Sequence, residues 1–506
     1  MLSGESPYTA NQILKFIRQK KETFWLQQRE KNALALFHSA ARRVPAYKDF
    51  LKKNGITSQK VKTWADFQNV PPIDKKNYLR QYPFEKLHWD GKISQPMVFT
   101  ATSGSTGEPF YFSRNQQLDW QYSILAQLYL ENSSYGVKKP TLVIVCFGMG
   151  VWIGGLITYK AFEIASQRTN YPISIITPGI NKAEIFTALR KLAPHYSQTI
   201  LAGYPPFLKD IIDQAPNEGV HIKKLHIRTL FAAEAFTEKF RNYIAYSTGM
   251  PNPVIDTLNI YGTADIGAMA YETPISIFIR RIAAEDPKIF SDLFPSAHQK
   301  TPTLAQYNPL FITFEAQNGE ILLTGDNTIP LIRYALGDHG GVHDYKSFTA
   351  KLKKFGVDLE KEIEKADLEK FTYQLPFVYV YERKDFSTTL YGLQIYPETI
   401  REALLENPIN EFLTGKFTVL TKFNLRQNQV LEINIELQKG EKATSQLKKK
   451  TLEKIVSNLL AKNSEFRELH QHLGKRAFPK LVFWEAEHPL YFKPGIKQKW
   501  IKTSPR

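Results

Sequence analysis

Apolar positions along the chain fall into distinct textures. The first hundred residues predict polar helices, as in QQREKNALALFHSAARRV, and end in a loop-rich stretch before Phe99; no chemistry is visible there. From Val98 to about Thr263, short apolar runs alternate with helical patterns, which predicts an α/β domain with a largely parallel sheet. Ile173 to Ile176 reads as a strand. Asn181 and Glu184 have capping-box-like spacing ahead of a helix whose apolar face is Ile185, Phe186, Leu189 and Leu192. A strand opening at Thr199 to Leu201, a turn at Gly203-Tyr204-Pro205-Pro206, a helix through Phe207 to Ile212, a strand at Leu225 to Ala232 and a helix from Thr237 continue the alternation. After Tyr261 the strands become punctuated by Pro and Gly (ILLTGDNTIPLIRYALGDHGG), the texture of a smaller β subdomain. Beyond Arg383, LEINIEL alternates strictly and QLKKKTLEKIVSNLLAKN is amphipathic, so a boundary is set between a large domain, 1–381, and a small one, 382–506.

The length of 506 residues fits that division. A single cysteine, Cys146, excludes an intramolecular disulfide and suits a reducing compartment. With no uninterrupted apolar run at the N-terminus, no signal peptide is expected and the location follows as cytoplasmic. The uncharged segment Thr141 to Tyr159 is long enough to cross a bilayer, but Gly148, Gly150, Gly154 and Gly155 break it. A buried strand entering a tight turn is the better reading. The formal charge of +17 raises the question of a polyanionic partner, and residues 381–506 carry 22 Lys and Arg against 14 Asp and Glu. A phosphate-rich cofactor or an acidic carrier protein suits this surface, as does plain solvation; no nucleic-acid-binding motif accompanies it.

The densest candidate chemistry is FTATSGSTGEPF, Phe99 to Phe110. Gly104 and Gly107 permit close backbone approach, and the hydroxyls of Thr102, Ser103, Ser105 and Thr106 can donate to phosphate oxygens. The loop lacks the GK[ST] ending of a Walker loop. Further on stand Ala233-Glu234-Ala235, YGTADIG from Tyr261, RYALGD from Arg333, Arg383-Lys384-Asp385 and the terminal GIKQK. Eleven histidines form no HExxH-type cluster.

The order and spacing of these six motifs resemble the adenylate-forming superfamily. With FGMGVWIGG, GYPPFL and PLIRYALGD, the chain looks like its phenylacetate–coenzyme A ligase branch, including capsule-biosynthesis-type relatives, from about Phe99 to Trp500. The resemblance implies an α/β fold: a large N-terminal domain with mixed parallel sheets and a β subdomain, and a small mobile α+β C-terminal domain. It implies a ligase that activates a carboxylic acid with ATP and Mg²⁺ as an acyl adenylate, then passes the acyl group to coenzyme A.

By the same resemblance, Thr102, Ser103, Gly104, Ser105, Thr106 and Gly107 hold the ATP phosphates. Ala233 and Glu234 line the nucleotide pocket, Tyr261 stacks on adenine within Tyr261-Gly262-Thr263, and Asp338 accepts from both ribose hydroxyls. Asp265 is the Mg²⁺ ligand, although it is one methylene shorter than the usual Glu and Ala264 replaces the usual Thr. Arg383 contacts the nucleotide and Asp385 is the hinge. Lys497 is the catalytic lysine, with Lys499 as the alternative because Ile496 separates Gly495 from Lys497; Lys493 stands nearby. Phe147, Trp152 and Tyr204 shape the acid pocket. The oligomeric state stays open, a homodimer included. Two other outcomes stay open as well: transfer to a carrier protein or an amine, and a non-catalytic nucleotide-binding relative.

Overall fold

The computed structural model describes residues 6–101, 110–150, 153–295, 301–381, 388–395, 397–404, 406–424, 426–489 and 491–492. Strands β1 (Val98–Ala101) and β2 (Tyr111–Arg114) form an antiparallel hairpin. They are followed by β3 (Thr141–Cys146), β4 (Ile173–Ile176), β5 (Gln198–Gly203), β6 (Ile227–Ala232) and β7 (Thr257–Thr263), which run parallel in the order β4-β3-β5-β6-β7. Every residue of β3 is buried, so the run TLVIVC reads as continuously apolar because both faces are covered. Val143 and Val145 face the helices Gln116–Glu131 and Ile153–Thr169, while Leu142, Ile144 and Cys146 face Lys182–Lys191 and Pro205–Gln214. The uncharged segment after Thr141 is therefore a strand and a separate helix. Among the described residues, no helix is long and apolar enough to cross a membrane.

One expectation needs correction. The helix Lys182–Lys191 buries Ile185, Phe186 and Leu189 and is capped by the Asn181 side chain, but Leu192 lies past its end and is exposed. The Pro- and Gly-punctuated strands after Tyr261 are continuous with the parallel strands. β8 (Gly267–Tyr271), β9 (Thr303–Gln306), β10 (Ile312–Gln317), β11 (Glu320–Gly325), β12 (Leu331–His343) and β13 (Phe377–Tyr381) extend the same sheet to eleven strands, in the order β10-β11-β12-β13-β9-β8 onto β7. The switch is made at β8, which pairs antiparallel to β7 across a tight turn and so needs no crossover helix.

The remaining described strands are a hairpin of β14 (Thr388–Leu390) and β15 (Leu393–Ile395), and a sheet of β16 (Leu413–Phe423), β17 (Gln429–Leu437) and β18 (Lys480–Trp484). With the helices Pro397–Leu404, Ser445–Lys462 and Ser464–Leu473 they enclose an apolar cluster drawn wholly from residues between Leu390 and Ala477. The alternation in β17 does not mean that one face is wet. Glu432, Asn434 and Glu436 are buried too, and are held by Lys422 at 2.6 Å, Trp484 Nε1 at 2.7 Å and Thr414 Oγ1 at 2.7 Å. Buried polar groups need such partners.

Candidate functional site

The ends of β1 and β7 and the middle of β12 bring described motif residues together. β7 stops at Thr263, and the next three residues turn into β8, with Thr263 opposite Gly267. Only glycine fits at position 262, because an added Cβ would lie 2.8 Å from the Gly267 carbonyl oxygen. Thr100, at the end of β1, donates its hydroxyl to the Ala264 carbonyl at 3.2 Å. This contact ties the stem of the hydroxyl-rich segment to the β7–β8 turn. Residues 102–107 themselves, with Trp152, Arg383, Asp385, Lys493, Lys497 and Lys499, lie outside the described residues.

Asp338 sits where β12 leaves its pairing with β11 and takes up β13. Leu322 pairs with Ala335 and Glu320 with His339, so extra residues bulge between them, and Gly337 takes a positive φ of 82°. A bulge of this kind re-aims a side chain. Here it brings the Asp338 carboxylate within 2.6 Å of the Tyr261 hydroxyl, which donates to it. A half-buried ring and a buried carboxylate therefore form one unit across the end of the sheet.

Asp265 is buried and already engaged. Its carboxylate accepts from the Tyr334 hydroxyl at 2.7 Å and pairs with the Lys75 ammonium at 3.2 Å. Lys75 comes from the N-terminal hundred residues, where no chemistry was expected, and it stands in a short π-helical turn capped by Asp74. Among the described residues no three His, Cys, Asp or Glu side chains are grouped to hold a metal. Among the described residues Asp265 thus already carries one cation, the Lys75 ammonium, which an ion binding this carboxylate would have to displace.

Ala233, at a strained φ of 76°, and Glu234 follow β6. The Glu234 carbonyl accepts from Asn259 Nδ2 at 3.0 Å. Its buried carboxylate accepts from the Gly392 N–H and from Gln429 Nε2 at 2.7 Å, both well over a hundred residues further along the chain. Behind this segment lies a charge cluster: Arg241 binds Glu272 at 2.8 Å and Glu238 at 3.0 Å, and Arg280 joins both carboxylates. Burial alone would raise the Glu238 carboxyl, but the guanidiniums of Arg241, Arg280 and Arg281 outweigh it and hold the group at about 2.

Tyr204, which meets the buried Phe147 edge-to-face at 5.1 Å, lines a mostly apolar cleft with an empty volume of about 650 Å³; Phe147 itself is not part of the lining. Gly148, Ala233 and Phe207 line one wall; Tyr391, Gly392, Leu393 and His472 line the other. Gly392 has a φ of 85° and lies so close to the Tyr204 ring that an added Cβ would sit 2.7 Å from it. Beside the cleft, Asp210 accepts from Arg476 at 2.9 Å and lies 3.5 Å from Lys182. Burial, helped by the nearby Lys182 ammonium, lowers the His472 imidazole against the pull of Glu468.

No protein-family model and no curated protein matches the chain. Among solved structures, 2-hydroxyisobutyryl-CoA ligase, in complex with 2-HIB-AMP and CoA in its thioesterification state, aligns over 99% of this chain and 91% of its own, with a TM-score of 0.61 at 14% identity. The fold is that of the adenylate-forming enzymes. A malonyl-CoA ligase bound to methylmalonyl-CoA and AMP (TM-score 0.42, 12% identity, 88% and 83% covered) also matches. So does an amide bond synthetase from Marinactinospora thermotolerans (0.42, 11%, 79% and 67%). Lys75, Tyr334, Gly392 and Gln429 were missed in the sequence. Each acts through a neighbour distant along the chain; Tyr334 stands within the RYALGD motif without a role read from it, and Gly392 carries only the signal of a glycine ahead of Leu393.

Proposed function

We propose that the protein is an AMP-forming acid–thiol ligase, akin to the phenylacetate–coenzyme A ligases, which adenylates an apolar carboxylic acid and transfers the acyl group to coenzyme A. The observation that carries this reading is the Tyr261–Asp338 pair, set beside the β7–β8 turn and the stem of the 102–107 loop on an adenylate-forming fold. Asp338 accepts the ribose hydroxyls, Tyr261 covers adenine, and the loop hydroxyls and amides hold the phosphates. The acid carboxylate then attacks the α-phosphorus and pyrophosphate leaves, with Lys497 balancing the moving charge. Mg²⁺ arrives on the nucleotide as MgATP, a substrate.

In the second half-reaction a thiol enters the cleft between the two walls, attacks the acyl carbon and expels AMP. The cleft's apolar lining and the cations Lys182 and Arg476 at its edge support a narrow thiol arm with an anionic tail. That the 2-hydroxyisobutyryl-CoA ligase structure holds both an acyl adenylate and coenzyme A supports the same reading. Division near residue 382, a hinge at Asp385 and nucleotide contact by Arg383 belong to this proposal. The test is acid-dependent exchange of pyrophosphate into ATP across aromatic and aliphatic acids: exchange in the wild type, lost in Asp338→Ala, is expected. Exchange with transfer only to a carrier protein or an amine would replace coenzyme A as acceptor, and no exchange with any acid would leave a nucleotide-binding relative without catalysis.

A further inference from the structure

Among the described residues, three contacts that cross the cleft differ in kind. Lys182, buried Asp210 and partly exposed Arg476 form a chain of charges at the edge. Lys209, whose ammonium is buried, reaches Asn428 at 3.0 Å while paired with Asp213. The third contact is a sealed network. Gln429, at the first position of β17 and buried, uses both ends of its amide: Oε1 accepts from the Tyr391 N–H, and Nε2 donates to Glu234 at 2.7 Å. The other Glu234 oxygen accepts from the Gly392 N–H. One carboxylate of the large unit thus reads the turn and the amide of the small unit together, at a point 5% exposed.

Parting these two donors from a buried carboxylate costs free energy unless water takes their place, because an ionised group in an apolar cleft carries a desolvation penalty. When the small unit moves away, Glu234 is rehydrated. The contact therefore favours one arrangement without welding it. It also joins the cleft to the nucleotide side: Ala233, one residue earlier, lines the cleft at its strained φ, and Asn259 of β7 holds the Glu234 carbonyl two residues from Tyr261.

We infer that Gln429 is a positioning residue, which with Glu234 and the Gly392 amide latches the small unit in the arrangement that receives the thiol. Its role in thioester formation rests on the function proposed above; the latch itself does not.

The decisive variants are Gln429→Glu, which sets two carboxylates face to face, and the exchange Glu234→Gln with Gln429→Glu, which restores the donors and acceptors of these three bonds. Native Cys146 is buried, so cysteines introduced at exposed Lys191 and Lys449 can carry spin labels selectively on the full chain. With AMP as the probe, a short docked distance is expected in the wild type, lost in Gln429→Glu and regained in the exchange. Thioester formation from enzyme-bound acyl adenylate should fall roughly tenfold or more in Gln429→Glu, the loss of one buried charge-assisted hydrogen bond, while pyrophosphate exchange stays within about twofold. Identical distance distributions in the wild type and Gln429→Glu would overturn the latch, as would an exchange variant that fails to regain the docked distance. If the wild type exchanges no pyrophosphate with any acid, the functional reading fails, and the distances still decide the latch.

Discussion

One short segment, Ala233 to Arg241, supplies two buried glutamates with opposite settings. Glu238 is clamped by Arg241, Arg280 and Arg281, all from its own unit, and its neighbours Glu272 and Arg280 are wholly buried. Glu234, four residues earlier, takes two of its hydrogen bonds from across the cleft, from an amide N–H and a glutamine side chain. The first setting is a scaffold: charges sealed in this way cannot part without unfolding. The second is a contact that water can replace. Rigidity beneath the motif loop and reversibility at its rim thus come from the partners of each carboxylate, because the residue type is the same.

The largest expected effect is on the scaffold. Arg241→Ala strands Glu272 and Glu238 in the core and should cost about 3–5 kcal/mol in urea unfolding, with activity lost alongside. A loss below about 1 kcal/mol would mean that Arg280 alone satisfies both carboxylates. Acid should strike the same place. With Glu238 held at about 2 in the fold and near 4.5 when unfolded, its stabilisation is complete above about pH 4.5 and drains away as the pH falls toward 2. On the order of 3 kcal/mol is involved. Glu238→Gln should flatten that acid limb of the melting curve, and an unchanged limb would shift the charge balance elsewhere.

Effects at the cleft should be smaller in stability and larger in motion. Gly392→Val sets a Cβ against the Tyr204 ring in a left-handed turn, so the docked distance between spin labels should vanish while the melting temperature moves little. Retention of the docked distance would mean that Tyr204 swings away freely. Least of all, Arg476→Ala should change stability by no more than about 1 kcal/mol, because its pair with Asp210 is partly solvated. A larger loss would make that edge part of the scaffold.

Much of the parallel half of the sheet was legible because both faces of β3, β5 and β6 are covered, which writes the short apolar runs LVIVC, ILA and LFA into the sequence. Asp338 was legible as a motif, and its reach to Tyr261 depends on a bulge after Gly337 that spacing does not reveal. Lys75 was hidden because its partner Asp265 lies 190 residues away and the flanking KKNYL reads as an ordinary charged helix. The continuation of the sheet past Tyr271 was hidden for a different reason: Pro- and Gly-rich strands look alike whether they join a sheet or start one. Gln429 opens a strand whose alternation suggests a wet face, yet that face is buried.

The most direct measurement follows ATP, pyrophosphate and AMP by ³¹P NMR while a panel of carboxylic acids is offered with and without coenzyme A. Pyrophosphate formed with at least one acid, and AMP with thioester only when coenzyme A is present, is the expected result, absent in Asp338→Ala. ATP left intact with every acid, or phosphate and ADP in place of pyrophosphate and AMP, would contradict an adenylate-forming ligase.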